Sequence, residues 1–130
     1  MNIPQAVITR VEYRPREEWD DPVRGSVAFY TLLSSDITPT DSMCAGVAEI
    51  APGGGSRQLH RHAEPEIYYM LEGTGVMSID GTETLVAAGD VIFIPGNAEH
   101  GLRNETDAPV RLFYVFPTGR FGDVVYRFPD

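Results

Sequence analysis

The strongest constraint on the fold is the rhythm of its breaks. Short alternating or apolar runs follow one another along the chain, each ended by glycine, proline or asparagine. Asp80-Gly81 lies between two such runs, and a two-residue type I′ turn needs positive φ at both positions, which aspartate tolerates and glycine favours. Pro52-Gly53-Gly54-Gly55, Gly89-Asp90, Pro95-Gly96-Asn97 and Asp107-Ala108-Pro109 punctuate the chain in the same way. The runs between them predict strands over Ser26–Leu33, Met43–Ala51, Gln58–His62, Glu66–Leu71, Val76–Asp80, Thr82–Val86, Val91–Ile94, His100–Asn104, Val110–Phe116 and Val124–Phe128. Val7–Tyr13 alternates with a period of two and predicts a further strand. Arg14–Arg24, charged and with two prolines, reads as a loop or arm. No helix is predicted. Short strands at regular spacing imply an all-β sandwich or barrel.

The 130 residues fit one domain over 1–130 and suffice for one buried core without disulfides. Ten Lys and Arg against nineteen Asp and Glu give a net charge of −9. No basic cluster tracks a phosphate backbone, so nucleic-acid binding is disfavoured, and the acidic balance disfavours anionic membranes. The lone Cys44 lies in an apolar run and reads as a small buried hydrophobe. Met1–Arg10 has no long apolar leader, and no stretch approaches the ~18 apolar residues of a membrane span. The expected location is cytoplasmic.

The chain has three histidines. His60 and His62 are two apart on an expected strand, so both rings leave the same face. Glu64 and Glu66 share that even parity, and either carboxylate can join the pair. His100 opens a later strand. Three imidazoles and one carboxylate suit a divalent transition metal (Fe, Mn, Ni or Zn) better than Mg or Ca. Tyr68 and Met70 continue the parity inward. Tyr126 lies in the alternating C-terminal run Asp123–Phe128, from which it can return over the pocket mouth.

The frame around these residues resembles the cupin superfamily. Its first motif is matched by Gly54, His60, His62, Glu66 and Gly73, and its second by Gly89, Pro95, His100 and Asn104. Asn97 stands where glycine is usual, a mild departure because Asn tolerates the left-handed region. The motifs span residues 54–104, with residues 1–25 as an N-terminal strand or arm. The resemblance implies a double-stranded β-helix, a jelly-roll barrel, with the metal on His60, His62, Glu66 and His100. Only Glu66, and not Glu64, keeps the spacing to Gly73. It also implies a homodimer, with the arm through Trp19 as an element that can cross to a partner.

A narrower resemblance is to small cupins that cleave dimethylsulfoniopropionate (DMSP). These carry a tyrosine two residues after the glutamate and another in the C-terminal strand, positions held here by Tyr68 and Tyr126. The resemblance implies a metal-dependent lyase that eliminates dimethyl sulfide from a small carboxylate, with a tyrosine as base. Met70, Phe93 and Phe113 or Phe116 are candidate apolar walls. The same ligand set also serves cupin dioxygenases, sugar isomerases or epimerases, and non-enzymatic ligand-binding cupins. The residues alone do not choose among them.

Overall fold

The computed structural model describes residues 3–129. Ten strands form: β1 Glu17–Asp21, β2 Gly25–Leu33, β3 Cys44–Ile50, β4 Gly55–Ser56, β5 Glu66–Glu72, β6 Thr74–Ile79, β7 Thr82–Ala87, β8 Val91–Ile94, β9 His100–Arg103 and β10 Val110–Phe116. Every pairing is antiparallel, in the order β7-β6-β9-β4-β2-β3-β10-β5-β8, with β1 on β2. The sheet curls into a jelly-roll barrel. Among the described residues no helix is long and apolar enough to cross a membrane.

Alternation along each strand builds the interior. Met70, Met77, Ile94, Leu102, Val110 and Leu112 are buried together in the core. On β5, Glu66 and Met70 are buried and Tyr68 is partly so, whereas Ile67, Tyr69 and Leu71 face solvent. A strand with one buried face has its register set by that face, because a one-residue slip would invert it.

The turns have the expected backbone. Asp80 and Gly81 take φ of 47° and 86°, and Asn97 takes 65° in the position usually held by glycine. Gly73 takes φ of 83°, and a Cβ there would lie 2.4 Å from the Pro109 carbonyl oxygen. That close approach admits no side chain. The buried Asn104 amide donates to the Ile50 and Ala108 carbonyls, at 3.0 and 2.7 Å. Its carbonyl oxygen accepts from the Thr106 backbone and hydroxyl. One side chain thus ties the turn before β10 to the end of β3.

Four expectations fail, one of them because a segment read as a loop finds a strand partner and three because a segment read as a strand does not. Val7–Tyr13 is not a strand; it ends in a 3-10 turn over Val11–Tyr13, with no buried residue in that turn. Glu17–Asp21, expected as a loop or arm, instead pairs with β2 over Gly25–Phe29. Gln58–His62 and Val124–Phe128 form no named strands. They meet each other through one bridge, Arg61 with Arg127, and His60 bridges His100. A period of two gives a ladder only when a neighbour supplies matching donors and acceptors.

Candidate metal centre and its cavity

His60 and His100 are locked side by side by reciprocal backbone hydrogen bonds of 2.9 and 2.8 Å. His62 is held from the other direction, its carbonyl accepting from the Asn97 amide at 2.7 Å. The left-handed Asn97 thus links the turn of the second motif to a histidine of the first. Imidazole atoms of His60, His62 and His100 lie within 4.8 Å of one another, a cluster able to hold a metal ion.

Hydrogen bonding orients two of the rings. His62 Nδ1 donates to the Glu64 carbonyl and His100 Nδ1 donates to the Ala98 carbonyl, both at 2.8 Å. Each Nε2 is then left as an acceptor. Both Nε2 atoms are buried and have no hydrogen-bond partner. Glu66 Oε1 lies 3.3 Å from His62 Nε2 and 3.5 Å from His100 Nε2. Buried acceptors facing one another are costly unless something positive lies between them. This donor set fits a divalent transition metal. Glu64, the other carboxylate of the right parity, serves His62 through its backbone.

Burial, then the nearby His100 and His62, pull His60 down to about 3, so its imidazole stays neutral at physiological pH. Burial also opposes protonation of His62, but the adjacent Glu66 carboxylate attracts positive charge to this point and raises that group.

A cavity of about 570 Å³ opens beside the cluster. His60, Glu66, Tyr68, Tyr114 and Tyr126 line it, with Trp19 and Phe128 among its aromatic walls. The Tyr126 ring stacks on His60 with centroids 5.0 Å apart and planes 1° from parallel. Phe128 packs on His60 from another side at 5.7 Å and stacks on Trp19 at 6.2 Å. Burial, then the Glu66 charge, holds the Tyr68 and Tyr126 phenols well above their usual pKa. Tyr126 nevertheless keeps 48% of its surface exposed, so its ring stands at the cavity mouth.

The cavity corrects several details. Phe116 is buried, edge-on to His62 at 5.1 Å, and Met70 is buried in the core. Phe93 faces solvent and forms no cavity wall. Phe113 and Gln58 do not line the cavity either. Tyr114 also lines the cavity and is not among the candidates named from the sequence. It pairs with Tyr68 across β10 and β5, and the parity of Leu112, Tyr114 and Phe116 carries the signal. Trp19, Arg24 and Phe128 gave no pattern that placed them here, because they come from chain ends brought in by tertiary contacts.

Comparison with known proteins agrees with the barrel and the cluster. The cupin domain family matches residues 46–116. The dimethylsulfoniopropionate lyase DddW of Ruegeria pomeroyi is 39% identical over 108 residues, covering 83% of this chain and 70% of that protein. An oxalate-binding protein of Thermotoga maritima is 34% identical over 93 residues, covering 71% of this chain and 76% of that one. The polyketide cyclase RemF of Streptomyces resistomycificus superposes with a TM-score of 0.81 at 21% identity, over 97% of this chain and 87% of that chain, a likeness of fold alone. With the motif residues placed as the barrel requires and a family match over most of the strands, this chain belongs to the cupin family.

Proposed function

We propose that this cupin is a metal-dependent lyase that cleaves dimethylsulfoniopropionate to acrylate and dimethyl sulfide by β-elimination. The observation that carries the reading is the meeting of two tyrosines, Tyr68 and Tyr126, with His60 and Glu66 in one cavity. The similarity to the Ruegeria lyase supports the choice of substrate.

His60, His62, His100 and Glu66 are the ligands in this reading. A divalent cation held by them would supply a Lewis acid for the substrate carboxylate and for charge developing at the α-carbon. The chain's own residues do the rest. Burial and Glu66 keep the phenols protonated; positive charge at the cluster acts in the opposite direction and favours phenolate. Tyr126 acts as the phenolate, takes the α-proton onto its oxygen and becomes the neutral phenol. The electrons of that C–H bond form the new double bond, and the C–S bond breaks with its pair leaving on sulfur. Tyr126 is preferred to Tyr68 as base because its half-exposed position lets the proton pass to water after each turnover. Tyr68, on β5 beside Glu66, orients the carboxylate. Trp19 and Phe128, stacked on one another, wall the cavity and shelter the sulfonium from water.

The test is release of dimethyl sulfide from DMSP by protein loaded in turn with Fe(II), Mn(II), Ni(II) or Zn(II), with His62→Ala as blank. Metal-dependent release above the blank supports the lyase. No release from protein that holds each metal overturns it.

A further inference from the structure

The cavity is larger than so small a substrate as DMSP needs. Its volume of about 570 Å³ falls in the range that holds drug-sized molecules, about 300–1,000 Å³. Among the described residues, Arg24 is the one lysine or arginine on its lining. The backbone of Arg24 is fixed at both ends. Its amide donates to the Asp21 carboxylate at 2.9 Å, and its carbonyl accepts from the Arg57 and Gln58 amides at 2.9 and 3.2 Å. Its guanidinium carbon lies 4.1 Å from the centroid of the Phe128 ring. Arg16, Arg61, Arg103, Arg111 and Arg120 each pair with a carboxylate, whereas Arg24 has no ion pair among the described residues. Glu18, which also lines the cavity, is already paired with Arg16. Ser26 and Ser56 line the cavity beside Arg24, with Ser56 opposite Gly25 in the ladder of β2 with β4.

We infer that Arg24, with Ser26 and Ser56, is a second carboxylate-binding corner, and that the cavity takes linear dicarboxylates with one end on this corner and the other at the His60 cluster. A guanidinium holds a carboxylate through two parallel N–H donors, and serine hydroxyls supply further donors. An arginine already stacked on a ring keeps its charge and loses little freedom when it binds. The two ends are near each other: Phe128 touches both Arg24 and, at 5.7 Å between centroids, His60. Val27, Ile50, Leu102 and Leu112 on the same lining suit a methylene chain. In a chain of net charge −9, an unpaired cation at an open mouth also gives an anion its favourable approach. DMSP carries a single carboxylate, so its cleavage leaves the corner unused, and dicarboxylates are a second class of ligand that competes for the cluster. The far end of this inference rests on the ligand reading of the cluster; the Arg24 end does not.

The test is titration calorimetry on protein loaded with Zn(II), using the linear diacids from malonate to adipate, each against the monoacid of equal chain length. At least one diacid is expected to bind about 10- to 100-fold more tightly than its monoacid, as for one charge-assisted carboxylate contact. Arg24→Gln is expected to remove that advantage while zinc content, circular dichroism and monoacid affinity stay unchanged. Arg24→Lys, which keeps the charge without the fork, is expected to retain part of it. Arg111→Gln removes the same charge outside the cavity and is expected to leave the advantage intact. Protein that takes up no zinc, or in which no diacid exceeds its monoacid, overturns the inference. So does an advantage that survives Arg24→Gln in folded protein, or a loss that Arg24→Gln imposes equally on monoacids. The titration needs no turnover, so failure to cleave DMSP and failure of this inference are read separately.

Discussion

The inner wall of the cavity and its mouth are held by different forces. His62, Glu66 and His100 are buried, and the backbone around the histidines is pinned by hydrogen bonds to Asn97 and between His60 and His100. At the mouth, Tyr126 and Phe128 are held by ring contacts and by one bridge from Arg127 to Arg61, the residue between two of the histidines, while Trp19 comes from β1. The wall is therefore preorganised by the barrel, whereas the mouth rests on the chain ends. Metal binding should follow the wall, and turnover should follow both.

His62→Ala or His100→Ala gives the largest expected effect: metal lost and turnover at background, measured by elemental analysis and dimethyl sulfide release. Tyr126→Phe separates the two regions. Its metal content is expected to match the unmodified protein while kcat falls about 10²–10⁴-fold, the range for loss of a general base. Unchanged turnover removes Tyr126 from the chemistry. Phe128→Ala should act more weakly, because it removes ring contacts with Trp19 and His60. KM is expected to rise roughly 3- to 10-fold at constant metal content, as for loss of an aromatic pair worth about 1 kcal/mol.

How much of each region was legible follows the same division. The clustering of the histidines with Glu66 was readable because strand parity and turn residues are local signals, and Asp80-Gly81 and Asn97 behaved as their chemistry requires. Inside and outside on β5 were readable from one anchored residue, Glu66. The mouth was not. Val124–Phe128 alternates like a strand but has a single bridge, and Glu17–Asp21 looks like a solvated arm yet pairs with β2. Charged residues on an edge strand carry little local preference, so the available edge of β2 decided the structure.

Two smaller effects test the frame behind the wall. Asn104→Ala removes two buried donated hydrogen bonds and is expected to cost about 2–3 kcal/mol in urea unfolding while the folded protein still takes up metal. Cys44 is fully buried, and burial, then the charges of Glu66 and Glu64, pushes its thiol up to about 11 from 9.0. The folded chain holds that proton more tightly than the unfolded one. Its contribution to stability is therefore present below pH 9 and lost as pH rises toward 11. Alkylation of Cys44 at pH 8 should require unfolding, and rapid labelling of the native protein would contradict this.

The most direct test of the wall is anomalous diffraction from crystals of protein loaded with one transition metal. The expected result is a single strong peak about 2.0–2.2 Å from the Nε2 atoms of His62 and His100, an imidazole nitrogen of His60 and a Glu66 oxygen. A peak elsewhere, or none from protein shown to carry metal, would contradict the account.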